Sequence, residues 1–378
     1  MGFIAVLSTS FVNLSIDAYK VAVSSPQIDS GLPTLTLPPT SVARATATTS
    51  SRSCRSTQRD FETGVVFPQW DPTGYGESDS KWLTELPEMR KQTTACWVEM
   101  PILFFQSSLT STVITPRVST PSVASFTYGI QFAHALGLHV FVTPLVRVDG
   151  SQSWAGAINF TSDVQEQAWF TNYWQALKPY AIAAARAGAE QIAIGTEEEW
   201  LQENAPTELW NGLIANMRGV FPGTLTYDMN WSSIEELPQS WMRNPDLNMI
   251  GVSSFFPLVD TPEHVDPRQI PSLWATRVKG PLDAFAIKLG EPVVLSEIGY
   301  RNSTDALYQP WVSTSSYPVD PEEQAAACGA VLANILSDQH IRGSFFWGWD
   351  DVEALSLKGS QAAQVIQRYY QSFQVEHR

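Results

Sequence analysis

Cysteine, histidine and positive charge are all scarce in this chain, and each shortage removes a class of function. The three cysteines, Cys54, Cys96 and Cys328, form no C-x-x-C pair and the five histidines are scattered, so neither a disulfide framework nor a structural zinc site is expected. No metal or other cofactor is implied. Lys and Arg number 23 against 38 Asp and Glu, and a net charge of -15 repels a polyanion instead of releasing its counterions. Nucleic acid is not an expected partner. A G-x-S-x-G elbow, an H-E-x-x-H helix and a P-loop are also missing. The weakly apolar first 14 residues have no basic start and are cut short by Asp17 and Lys20, so no integral membrane segment is expected. What the chain does have is bulk: 44% hydrophobic residues, with 14 Trp, 18 Phe and 11 Tyr, enough to fill a sizeable core.

That bulk is unevenly placed. Residues 24–57 are mostly Ser, Thr and Pro, carry no aromatic side chain, and cannot bury enough apolar surface to offset their ordering entropy. Residues 1–60 are therefore read as a largely disordered export and tether segment, which points to a secreted or surface-tethered protein; a ragged N-terminus is the alternative. From residue 61 to 378, short apolar runs alternate with stretches of helical period. The runs are 64–70, 96–106, 139–148, 192–197, 224–231, 249–258, 292–300 and 341–350. Helix-start chemistry lies between them, as at Asp320-Pro321-Glu322-Glu323, with Pro in the first turn and acids at the positive dipole end. Eight near-continuous apolar runs, each followed by a helix, predict a (β/α)8 barrel, since parallel strands need crossover helices and are covered on both faces. A doubly wound sheet is the rival, but the first run opens no glycine-rich phosphate loop.

In such a barrel the chemistry sits at the C-terminal strand ends. The fourth run ends in Thr196-Glu197 and the seventh contains Leu295-Ser296-Glu297-Ile298-Gly299-Tyr300. Burying an unpaired carboxylate is costly, so Glu297 calls for a partner, such as Arg301, or for a purpose. Glu197 is alternatively one of three acids opening a helix, with Glu198 and Glu199. Strands four and seven face each other across a barrel, and two carboxyls bracketing a cleft are what glycosidic cleavage requires. Sugar rings also stack their C–H faces on aromatics and hydrogen-bond through their hydroxyls. Candidate sugar contacts are accordingly Trp70, Gln106, Asn230, Trp231, Tyr300, Trp347, Trp349 and Asp350, all near run ends. His134 and His139 are read as structural, Cys96 and Cys328 as core residues, and Cys54 as a free or intermolecular thiol.

Several segments together resemble glycoside hydrolase family 113 over residues 62–373: Trp70-Asp71-Pro72-Thr73-Gly74-Tyr75-Gly76, Ala133-His134-Ala135-Leu136-Gly137-Leu138, Ile194-Gly195-Thr196-Glu197, Asn230-Trp231, Ser296-Glu297-Ile298-Gly299-Tyr300-Arg301 and Phe346-Trp347-Gly348-Trp349-Asp350. That resemblance implies a retaining β-glycoside hydrolase acting on a β-linked polysaccharide, foremost β-1,4-mannan, with Glu197 as acid/base and Glu297 as nucleophile. The chain departs from the family pattern at Leu145 and Arg147, where a His and an acid are expected, at Phe255, in place of a Tyr, and at Phe104-Phe105, in place of Trp-Tyr. These losses of polar contacts motivate a second reading, a carbohydrate-binding barrel that keeps its carboxylates without turnover. A hydrolytic barrel of another kind is a third, with no Ser–His pairing to support it.

Overall fold

Every one of the eight apolar runs contains a strand. The computed structural model describes residues 54, 61–76, 80–150 and 154–376; the tether reading falls almost wholly outside them. The strands are β1 (Glu62–Val66), β2 (Trp97–Gln106), β3 (Ile114–Thr115), β4 (His139–Val148), β5 (Gln191–Thr196), β6 (Thr224–Asn230), β7 (Met249–Ser253), β8 (Val293–Ile298) and β9 (Ile341–Trp347). All but β3 pair in parallel and in sequence, and β9 closes on β1 to complete an eight-stranded (β/α)8 barrel. The short β3 is an addition the sequence reading lacks: it runs antiparallel to the end of β2, with Gln106 opposite Ile114.

Both faces of the strands are buried, which hides the two-residue period from the sequence. On β2 the outward set Val98, Met100, Ile102 and Phe104 packs under the helices. Inside the barrel a smaller cluster forms from Val66, Phe141, Ala193, Val294 and Phe345. The rings of Phe141 and Phe345 meet edge-on at 5.3 Å, and a Cβ on Gly64 would collide with the Phe345 ring. This plug supports whatever lies at the C-terminal mouth, and truncating Phe345 to Ala costs about 3–5 kcal/mol by cavity formation.

Helix starts follow their local chemistry. Ser80, Ser122 and Ser162 cap the helices Lys81–Thr93, Val123–Ala135 and Asp163–Ala187 by accepting a backbone N–H from inside the first turn. Asp320 does the same for Pro321–Ile335, taking the amides of Glu322 and Glu323 at 3.1 and 3.0 Å. His134 and His139 both bind the Glu190 carboxylate, at 3.2 and 3.0 Å, tying the helix Val123–Ala135 to the N-terminal ends of β4 and β5. With the Val140 amide added, those contacts hold the Glu190 carboxyl down at about 2 despite its burial.

The cysteines correct the sequence reading. Cys54 is bonded to Cys96, with Cα atoms 5.4 Å apart, so Cys54 is no free thiol and Cys96 is half-buried at the foot of β2 instead of in the core. Two cysteines outside any spacing motif gave no signal of pairing. Cys328 is buried in the helical layer. The bridge closes a loop of 42 residues, and loops of that size lose about 4 kcal/mol of unfolded-state entropy. Cys54→Ser is expected to lower stability by about 2–4 kcal/mol, read as the urea midpoint beside the reduced wild type; a midpoint equal to that of the oxidised wild type refutes the constraint.

Candidate active site

Register shifts gather at the C-terminal ends of β5, β7 and β8, between Ala193 and Thr196, Gly251 and Ser253, and Leu295 and Ile298. Such bulges re-aim side chains where a regular strand would send them into its own face. One sits just before Glu197 and another spans Glu297.

Glu197 leaves β5 with φ 62°, the left-handed region that disfavours a side chain with a Cβ. Strain of that kind costs about 1 kcal/mol or more and persists only when its surroundings hold it. Here the Glu197 amide donates to the Asp228 carbonyl at 2.7 Å, and the Trp154 indole N–H donates to the Glu197 carboxylate at 2.8 Å. The ring of Trp154 folds over Gly156, where a Cβ would collide with it. Burial raises the Glu197 carboxyl above the usual carboxylate range, and the Trp154 donor and Ser253 pull it back part of the way.

Glu297 is buried on β8 opposite Ser253 of β7. Burial pushes its carboxyl well above the usual range, and the charges of Glu197 and then Asp228 push in the same direction. The charge of Glu197 thus bears on Glu297 across the mouth. Arg301, the counter-ion considered from sequence, is committed elsewhere: it is buried, pairs with Asp305 at 2.7 Å and donates to the carbonyls of Asp305, Tyr308, Gln309 and Val312.

Two aromatic pairs flank the carboxyls. Trp70, just past β1, stacks on Trp347 at the end of β9 with centroids 6.5 Å apart, and both indoles donate to Asp351, at 3.0 and 3.1 Å. Trp231, following β6, stacks on Trp311 at 5.2 Å and leans on Phe256. Trp70, Trp231 and Trp311 are half-exposed and pack on the barrel-interior cluster together with Leu145, while Phe255 is buried within it. Asn230 caps the short turn Trp231–Glu235 through the Ser232 amide and thereby sets the direction of Trp231.

Four of the sequence candidates lie away from this mouth. Gln106 is buried toward the helical layer, accepting from the Trp169 indole at 2.8 Å and donating to the Ser108 carbonyl. Tyr300 is buried in the outer core, where its carbonyl takes the Gln324 amide. Trp349 is fully buried in the same layer, and Asp350 pairs with Lys81 and Lys358 on the rim. The reason for the last two is common: β9 ends at Trp347, so the alternation assumed through Asp350 stops three residues early. Conversely Trp154 and Trp311 are not among the sequence candidates, and Asp351, read from the sequence as one of the polar residues ending the last strand, is the acid that meets the two indoles. Trp154 and Trp311 sit in loops without periodic pattern.

Among the described residues two side-chain sets could hold a metal ion, His264 with Asp320 and Glu323, and Asp283 with Asp338 and His340. In the first His264 is hydrogen-bonded to Glu323 at 2.6 Å; in the second Lys279 already neutralises both acids. A polar hollow of about 440 Å³ behind the rim, lined by Asn302, Gln324, Asp350 and Lys358, borders the mouth through Asp351. No described helix is long and apolar enough to cross a membrane.

The family model Glycoside Hydrolase Family 113 matches residues 73–370. A solved family 113 β-1,4-mannanase complex aligns with TM-score 0.71 at 22% identity, covering 83% of this chain and 99% of that one. The family 113 β-mannanase of Alicyclobacillus acidocaldarius, in complex with ManMIm, aligns with TM-score 0.71 at 22% identity over 84% of this chain and all of that one (100%). A family 5 mannosidase of Rhizomucor miehei, in complex with mannosyl-fructose, aligns at TM-score 0.55 and 11% identity, covering 86% of this chain and 98% of that one. At these identities the solved structures speak for the fold. Comparison with the curated proteins gives no match.

Proposed function

The chain belongs to glycoside hydrolase family 113 and is a glycoside hydrolase, and from that premise we propose that it cleaves a β-linked polysaccharide, foremost β-1,4-mannan, with retention, using Glu297 as nucleophile and Glu197 as acid/base. One observation carries the reading: strand irregularities bring two glutamates to the same mouth from the ends of β5 and β8, where the strand ends and their loops also present two stacked tryptophan pairs. Burial favours the protonated form of a carboxyl, as a general acid needs, while the nucleophile must ionise to attack the anomeric carbon. The printed names of the neighbouring β-1,4-mannanases support mannan over other β-glycans.

In the first step the Glu197 carboxyl donates its proton to the leaving glycosidic oxygen as a Glu297 oxygen bonds to the anomeric carbon. In the second, Glu197 takes a proton from water as that water displaces Glu297. Trp231 with Trp311 and Trp70 with Trp347 offer apolar faces for the sugar rings. The departures at Leu145 and Phe255 leave apolar packing where polar contacts to sugar are expected, which favours looser discrimination between epimeric β-glycans. Treatment with a 2-deoxy-2-fluoro-β-mannosyl donor tests the mechanism: a covalent mannosyl adduct on the peptide bearing Glu297 is expected by mass spectrometry. Turnover with an adduct on another residue, or inversion at the anomeric carbon, overturns it.

Trp154 enters the same scheme. Its N–H favours the ionised form of Glu197, so Trp154→Phe removes a stabiliser of the anion and raises the pKa of the acid. The alkaline limb of kcat/KM is expected to move to higher pH by about half a unit to one unit. A uniform loss of activity at every pH, with the limb unmoved, denies that role.

We also propose that the protein works outside the reducing cytosol. The Cys54–Cys96 bond supports this, since such bonds persist in oxidising compartments.

A further inference from the structure

Beneath Glu297 the barrel interior is acidic where barrels are ordinarily apolar. Glu99 on β2 and Asp228 on β6 are both fully buried, and the charges of Glu297 and Asp228 act on Glu99 just as those of Glu197 and Glu62 act on Asp228. Glu99 accepts one hydrogen bond, from the Thr143 hydroxyl at 2.7 Å, and its other oxygen has no partner. Both oxygens of Asp228 also lack one. The Asp228 carboxyl fills the space over Gly251, its register partner on β7: a Cβ there would fall inside that carboxyl and within 3.0 Å of the Ser296 hydroxyl. Gly251 is the vacancy that lets an acid sit at this level.

Among the described residues no lysine or arginine pairs with Glu99, Asp228 or Glu297. Nor do three of these carboxyls converge within 4.8 Å, so the group is not a ready cage for a metal ion. Several like charges facing one another in a low-dielectric interior cannot all be ionised, and protons must neutralise most of them. The deepest groups hold protons hardest. Glu99 and Asp228 are 0% exposed, whereas Glu297 reaches the mouth at 7%.

We infer that Glu99 and Asp228 are neutral carboxylic acids in the working enzyme, positioning residues that form a protonated bed under Glu297 and leave it as the group that ionises. This rests on the reading of Glu297 as nucleophile. Neutral neighbours remove the repulsion that otherwise holds a proton on Glu297, and a protonated carboxyl can donate a hydrogen bond where an ionised one cannot. The groups bearing on this equilibrium are Glu62 on β1, Glu99 on β2, Glu197 and the buried Glu198 after β5, Asp228 on β6 and Glu297 on β8, with the phenols of Tyr173 and Tyr227 and the hydroxyls of Thr143, Thr226, Ser253 and Ser296 among them; of these the Thr226 hydroxyl favours the Asp228 anion and burial opposes it.

The test needs no substrate. A carboxyl kept protonated in the fold but ionised in the unfolded chain makes folding weaken as pH rises above its unfolded pKa, by up to about tenfold in the folding constant per pH unit. Asp228→Asn and Glu99→Gln abolish that dependence, so each variant is expected to gain stability relative to wild type between about pH 5 and pH 8. Parallel pH–stability curves, or a relative loss as pH rises, overturn the inference. Infrared spectra of the wild type supply a reading should a variant fail to fold: the C=O stretch of protonated carboxyls is expected at neutral pH, and its absence refutes the bed. In turnover, the acid limb of kcat/KM for Glu99→Gln is expected to stay in place, since one neutral group replaces another beside Glu297; a limb displaced to lower pH shows that Glu99 carries charge in the wild type and refutes the bed. Adduct formation on Glu297 reports on the nucleophile separately, so that reading and this one can fail independently.

Discussion

Glu297→Gln is expected to lower kcat on β-1,4-mannan by about 10⁴-fold or more, because an amide cannot form the glycosyl ester that the proposed retaining mechanism requires. KM and the affinity for mannooligosaccharides should change little, since the two tryptophan pairs are untouched. Glu197→Gln should behave differently. Substrates with an activated aryl leaving group need no proton for the first step, so they should give a burst of the phenol followed by slow turnover, while mannan is barely cut. Reducing-sugar release and pre-steady-state bursts separate the two. A wild type that binds mannan without releasing product, and a Glu297→Gln variant that binds as it does, would instead favour a barrel that recognises sugar without cleaving it.

Arg301→Ala is expected to cost about 3–5 kcal/mol because the buried Asp305 would be left as an uncompensated charge. Its guanidinium gathers four carbonyls from residues 305–312 and the Asp305 carboxylate into one knot, and that segment carries Trp311. Loss of the knot should free Trp311 from Trp231. Denaturant midpoints are expected to fall, and KM for mannan to rise more than kcat drops, because the proposed role of the platform is to hold sugar away from the reacting bond. Arg301→Lys should be intermediate, since an ammonium carries the charge but not the planar fork. A variant as stable as wild type, with unaltered KM, contradicts this account.

Which parts were legible in the sequence follows from which physical signals are local. Apolar runs bounded by breakers report strands whether or not the side chain alternation can be read, so all eight barrel strands were found. Run ends were less secure. Reading the last strand through Asp350 placed Trp349 and Asp350 at the mouth, whereas the chain turns after Trp347 and delivers Asp351 to the two indoles. Gln106 points away from the mouth because a strand end has two faces and nothing in a doubly buried strand says which one a polar residue takes, and Tyr300 follows β8, which ends at Ile298, into the outer core. Trp154 and Trp311 are brought in by loops, whose geometry depends on distant partners such as Gly156 and Arg301. The acidic layer was hidden for a related reason: Glu99 and Asp228 lie among outward-facing apolar neighbours, and only the closed barrel turns them toward one another.

The bridge to Cys54 also fixes a direction. Cys96 precedes β2 and so stands at the N-terminal rim, the end opposite the tryptophan pairs. A support coupled through the polypeptide upstream of Cys54 is therefore joined to the barrel at its base, leaving the tryptophan pairs facing outward. Immobilisation through that end should preserve access for insoluble mannan, whereas attachment near the loops beyond β8 or β9 should obstruct it.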